Sequence, residues 1–135
     1  MGVDNKRKIL CVEDHADTCE LVTAVLPEFE VISVATETDA VEKVRDGDFA
    51  VVLMDYHLLD GTGEDACIAI RGFDRRTPIL FITSTSSITQ AKALAIGAQG
   101  LLRKATSDFV EHLRRRVAEL VPDGIIDIDL SFEET

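Results

Sequence analysis

The 135-residue chain has the length of one ordinary domain, and 46% hydrophobic residues suffice for a buried core and argue against disorder. A net charge of −11 argues against a nucleic-acid surface, and no apolar run approaches the roughly 20 residues that span a bilayer. Cys11, Cys19 and Cys67 are odd in number and form no CxxC, so they read as structural thiols rather than a disulfide or metal framework.

The N-terminus, "MGVDNKRKILCVED", lacks a long apolar segment with a cleavage site, and Lys6 breaks the myristoylation pattern after Gly2. A cytoplasmic location is expected. The first apolar run, "KILCV" (8–12), reads as a strand, and 16–27 as a helix with Leu21, Val22, Val25 and Leu26 at helical spacing. A second strand, "EVISVA" (30–35), precedes a helix over 38–46 that stops at Gly47. A third, "FAVVLM" (49–54), precedes a helix over 63–71 carrying Ala66 and Ile70.

The fourth strand is "PILFIT" (78–83). Its helix is expected to start at Ser87, where "SITQ" (87–90) fits a capping box, and to end at Gly97. The fifth strand, "QGLLR" (99–103), leads to a helix over 107–121. There Phe109, Val110, Leu113, Val117, Leu120 and Val121 form one stripe, and the "RRR" run 114–116 reads as a solvated face.

These residues, 1–121, are expected to form one domain; 122–135 are an acidic extension with Asp123, Asp127, Asp129, Glu133 and Glu134 and no base. In "GIIDIDLSFEE" (124–134), Ile126, Ile128, Leu130 and Phe132 alternate with polar residues, the pattern of a one-faced strand. Three fates stay open for it: a disordered tail, packing on its own domain, or pairing with a second copy or a partner sheet through 124–132.

Unbroken apolar strands are those covered on both faces. Alternating strands and helices imply right-handed crossovers and a doubly wound α/β fold with a five-stranded parallel sheet. The order 2-1-3-4-5 is adopted by analogy with flavodoxin-like sheets.

Such sheets bind ligands outside the carboxyl ends of their strands. The first run is followed there by Glu13 and Asp14 and the third by Asp55; the fourth ends at Thr83 before Ser84, and Lys104 follows the fifth. Carboxylates about 5 Å apart repel by roughly 3 kcal/mol per pair at an effective dielectric near 20. Three of them call for a cation beyond Lys104. Hard oxygen ligands favour Mg²⁺, and His57 is the only histidine near this rim. A metal-bound carboxylate beside a lysine and a hydroxyl suits phosphoryl transfer, with the aspartate as nucleophile.

At "VEDH" (12–15), "LMDYHLLDGTG" (53–63), "FITST" (81–85) and "GAQGLLRKA" (97–105) the chain resembles the receiver domain of two-component response regulators, the CheY-like family. The resemblance covers residues 7–121. It implies that Asp55 is the phosphoacceptor, Asp14 a direct Mg²⁺ ligand, Glu13 its water-mediated neighbour and the His57 carbonyl a further ligand. Thr83 would be the switch hydroxyl and Lys104 the partner of the phosphoryl group. A histidine kinase or phosphotransfer protein would be the donor, and the receiver would act as a switch rather than mainly as an enzyme.

Three positions depart from the family pattern. Leu59 and Ala105 stand where proline is frequent, and Leu101 where an aromatic is usual. A non-proline cis bond costs about 2.5–4 kcal/mol, so Lys104–Ala105 is expected to be trans. The leading expectation is a stand-alone receiver with no effector domain. Its rivals are a phosphorylation-independent scaffold, favoured by Leu101 and Ala105, and an aspartate-nucleophile phosphohydrolase. The hydrolase would place a D-x-D nucleophile after the first strand, where "VEDHAD" has no match.

Overall fold

The computed structural model describes residues 6–122. In chain order the elements are β1 (Lys8–Val12), α1 (Ala16–Val25), β2 (Glu30–Val34), α2 (Glu37–Asp46), β3 (Val51–Met54), α3 (Gly63–Arg71), β4 (Ile79–Thr83), α4 (Gln90–Ala95), β5 (Gly100–Arg103) and α5 (Phe109–Leu120). The strands form one sheet in the order β2-β1-β3-β4-β5, every neighbouring pair parallel. The expected topology and strand order are both present.

Side chains alternate across a strand, so each unbroken apolar run feeds two cores. Leu10, Val12, Val52, Met54, Ile79 and Phe81 pack on one face, against Ala40, Val44, Ala66, Ile70 and Ala93 of α2, α3 and α4. Ile9, Cys11, Val51, Leu53, Leu80 and Ile82 pack on the other, against α1 and α5 through Val22, Leu26, Leu113 and Val117. The register aligns the strand exits: Val12 lies beside both Val34 and Met54, and Thr83 beside Arg103.

Threonine hydroxyls start three helices. Thr36 accepts from Asp39 N–H (3.0 Å), Thr62 from Asp65 N–H (3.1 Å) and Thr89 from Lys92 N–H (3.1 Å). The last of these corrects the expected start at Ser87. Ile88 is buried in the core, and the Arg103 guanidinium donates to the carbonyls of Thr85 and Ile88. Thr85 also takes up Ser87, its Oγ1 accepting the Ser87 N–H (3.2 Å) and donating to Ser87 Oγ (3.0 Å). These bonds hold 85–88 outside the helix, so α4 begins three residues late. Its end falls as expected: Gly97 has φ +102°, a left-handed conformation that suits glycine.

The "RRR" run is also more engaged than a solvated face. Arg114 forks onto Glu28 and donates to the Val25 carbonyl, Arg115 meets Glu111, and Arg116 bonds Glu119 and the Gln99 carbonyl. At the sheet end opposite the strand exits, Arg71 donates to the carbonyls of Gly97 (2.9 Å), Asp74 (2.8 Å) and Thr77 (2.8 Å). Among the described residues no peptide is cis, so Lys104–Ala105 is trans, and no helix is long and apolar enough to cross a membrane. The acidic extension beyond Pro122, with the 124–132 segment for which pairing is one of three open fates, lies outside the described residues.

Candidate functional site

Asp55 leaves β3 with its N–H bonded to the Val12 carbonyl (2.9 Å), which fixes it beside the β1 exit. It is only 6% exposed. Its Oδ1 accepts the Tyr56 N–H (2.7 Å), and its Oδ2 accepts Lys104 Nζ (3.1 Å). The same ammonium donates to Glu13 Oε1 at 2.8 Å. Glu13 is tied to β2 through its N–H and the Val34 carbonyl (2.8 Å), and its side chain is fully buried. Three strand exits thus meet on one nitrogen.

Asp14 lies half-buried beside this trio. Its Oδ1 is shut off from solvent and has no hydrogen-bond partner, although His15 Nδ1 stands 3.0 Å away. Ligand atoms of Glu13, Asp14, His15 and Asp55 all fall within 4.8 Å of one another. A buried acceptor left unpaired costs about 1–3 kcal/mol, and a hard cation would relieve it. The carboxylate donor set fits Mg²⁺, which binds through one or two carboxylates, waters and a phosphate oxygen.

Thr83, almost fully buried at the end of β4, faces the same hollow as Asp55 and helps hold its carboxyl down, and its hydroxyl oxygen accepts the Thr85 N–H (3.3 Å). Asp55, His57, Thr83, Ser84 and Lys104 share one open hollow of about 630 Å³ with His15. Glu13, Asp14, Asp55, His57, Thr83, Ser84 and Lys104, the groups expected at the strand exits, therefore reach one rim. Leu59 is 70% exposed there, whereas Leu101 is half-buried and packs on the core with α4.

The charges are balanced against burial. Burial pushes the Asp55 carboxyl up, but bonds from Thr83 and the Tyr56 N–H, with the Lys104 charge, hold it below its ordinary value. Burial wins at Glu13, aided by Asp55 and opposed by Lys104, and its carboxyl sits above the ordinary range. Burial lowers Lys104, yet Glu13 and Asp55 together hold the ammonium above its usual value. Both carboxylates face the Lys104 ammonium, and Asp55 is the one whose surroundings favour the charged form, a desolvated carboxylate suited to attack an electrophile.

His57 is not the only histidine near this rim, because His15 Nδ1 stands 3.0 Å from Asp14 and 3.1 Å from Glu13. Two further residues escaped the sequence reading. A Cβ on Gly63 would lie 1.9 Å from the Asp55 carbonyl oxygen and 2.8 Å from Met54 Cγ, so α3 can start against the Asp55 backbone only with glycine. A glycine directly after the cap residue Thr62, in a first helical turn that favours other residues, was the available signal. Arg103 was the other, legible only as a base ending a buried strand.

The family model described as the response regulator receiver domain matches residues 9–118. Among curated proteins, the chain is 33% identical over 96 residues to the regulatory protein LuxO of Vibrio cholerae, covering 69% of this chain and 21% of that protein. It is 32% identical over 129 residues to the transcriptional regulatory protein CusR of Escherichia coli, covering 93% of this chain and 56% of that one. The chain thus spans between about a fifth and just over half of these relatives. A solved receiver domain of a sensor histidine kinase from Pseudomonas aeruginosa, with magnesium coordinated in its active-site cleft, superposes with a TM-score of 0.75 at 25% identity, covering 87% of this chain and 98% of that one. A CheY-like receiver domain protein from Methanospirillum hungatei gives 0.73 at 21% identity, with 87% and 98% coverage.

Proposed function

The chain belongs to the response regulator receiver family, and from that membership we propose that Asp55 accepts a phosphoryl group from a phosphohistidine on a histidine kinase or phosphotransfer protein. The observation that carries this reading is Lys104 Nζ, 2.8 Å from Glu13 and 3.1 Å from Asp55, which supports an ammonium beside the oxygen that would take up phosphorus. An Asp55 oxygen attacks phosphorus, the new P–O bond forms as the P–N bond to the donor imidazole breaks, and the imidazole leaves. Lys104 turns to the phosphoryl oxygens, and the Thr83 hydroxyl is placed to donate to one of them.

Asp14 and Asp55, with Glu13 and the His57 carbonyl, would hold Mg²⁺, and the orphaned Asp14 oxygen supports that choice. The ion would supply neutralising charge for the transferring group. The product is a switch that alters partner binding or passes the phosphoryl group on, not mainly an enzyme. The lack of a membrane-spanning helix among the described residues accords with a cytoplasmic setting.

The test compares wild type and Asp55→Asn with acetyl phosphate, with Mg²⁺ or a chelator, by intact mass. One added phosphoryl group is expected only for wild type with Mg²⁺. No adduct from acetyl phosphate or a phosphorylated kinase would favour the scaffold, and phosphate release over many turnovers would favour the hydrolase.

A further inference from the structure

Cys11 and Cys19 were expected to be inert structural thiols, yet their sulfurs lie 3.6 Å apart, sharing a hydrogen bond. We propose that they form an oxidisable pair: hydrogen peroxide converts Cys19 to a sulfenic acid, and Cys11 closes it into a disulfide tying α1 to β1.

The placement suits these two roles. Cys19 lies in α1, half-buried, and lines an open groove of about 630 Å³ with Thr23, Ser33, Val34 and Ala35. A small oxidant can reach it there. Cys11 lies beneath it on β1, with no exposed surface, in the core that joins the sheet to α1. It is reachable only through Cys19, as a resolving thiol should be. A disulfide needs about 2.0 Å between sulfurs, so the pair must close by roughly 1.6 Å.

Cys67 cannot compete. It sits in the core on the opposite face of the sheet, its sulfur directed to the Ile96 carbonyl at 3.7 Å. The environment also favours Cys19 as the first to react. The bond between the two sulfurs holds the Cys19 thiol down to about 6, helped by Ser33 against burial, and the same bond with burial pushes the Cys11 thiol up, so the accessible sulfur is the one that ionises. Thiolate character and access together mark peroxide-sensitive cysteines.

The chemistry balances. The Cys19 sulfur attacks one peroxide oxygen, the S–O bond forms, the O–O bond breaks, and hydroxide leaves as water after taking a proton. The Cys11 sulfur then attacks the Cys19 sulfur, the S–S bond forms, the S–O bond breaks, and a second water carries off the Cys11 proton. Two thiols and one peroxide give one disulfide and two waters, with two electrons passing from sulfur to oxygen. The bridge would fix the helix whose first residue, Ala16, follows the Glu13–His15 loop directly.

The full chain, fully reduced, is treated with hydrogen peroxide under native conditions and followed by intact mass and peptide mapping. Wild type and Cys67→Ala are expected to become about 2 Da lighter, with a Cys11–Cys19 cross-link reversed by dithiothreitol. Cys19→Ser is expected to form no cross-link and to react at least about tenfold more slowly. Cys11→Ala is expected to stop at an adduct about 16 Da heavier that dimedone traps at Cys19. Should Cys11→Ala fail to fold, the map of Cys67→Ala alone decides. A wild type whose Cys19 stays reduced while free cysteine is oxidised, that goes on to sulfinic acid without cross-linking, or that links through Cys67 would overturn the proposal.

Discussion

At Gly63 the backbone of α3 passes so close to Asp55 that one methyl group has nowhere to go: the nearest atom, at 1.9 Å, is a backbone oxygen and cannot swing aside. Overpacking of this kind costs about 1–3 kcal/mol. Gly63→Ala is expected to lower the unfolding free energy measured in urea by that amount and to slow phosphorylation of Asp55 by acetyl phosphate, because the strain falls on that residue's own peptide. Gly72→Ala, whose Cβ would meet only the Ala69 carbonyl at 3.2 Å, is expected to do neither. Residue types at this scale were legible: an acid pair after β1, an acid after β3, a hydroxyl at the end of β4 and a lysine after β5. Their pairing was not. Lys104 was expected to offset one charge, but it divides itself between Glu13 and Asp55, a contact across 91 positions of sequence that no local pattern encodes.

Among elements, the β4–α4 segment shows local pattern losing to a distant contact. "SITQ" has the composition of a helix start, yet Arg103 reaches back from β5 to the carbonyls of Thr85 and Ile88, and the buried Ile88 anchors the turn. Hydrogen bonds to a charged donor contribute about 1.5–3 kcal/mol. Arg103→Ala is expected to destabilise the fold by about 1–3 kcal/mol in urea denaturation and to increase amide exchange over 84–89. The strands were legible because their apolar runs are unbroken, and alternation then restricted the topology to parallel crossovers. Helix boundaries depend on what meets their ends, and α4 meets a side chain from a later strand.

Over the whole molecule, the −11 charge is offset where long-range pairs knit the chain. Arg114 on α5 forks onto Glu28 before β2 at 2.8 and 3.2 Å, and holds that carboxyl below its ordinary value of 4.5. A carboxyl more acidic in the folded than in the unfolded chain adds stability above the unfolded value and loses it as pH falls through the folded one. The difference in unfolding free energy between wild type and Arg114→Ala is therefore expected to shrink as pH drops from 6 to about 3. Denaturation curves at the two pH values measure it, and a constant difference would show that Glu28 is not the group involved. The three-way meeting of Glu13, Asp55 and Lys104 bears on the integrity of any message the molecule transmits. A fragment ending after α3 would keep both acids and lose the amine, so a chain cut before Lys104 would not be competent. Readiness to react is thus a certificate of completeness, withdrawn as soon as any of the three segments lets go.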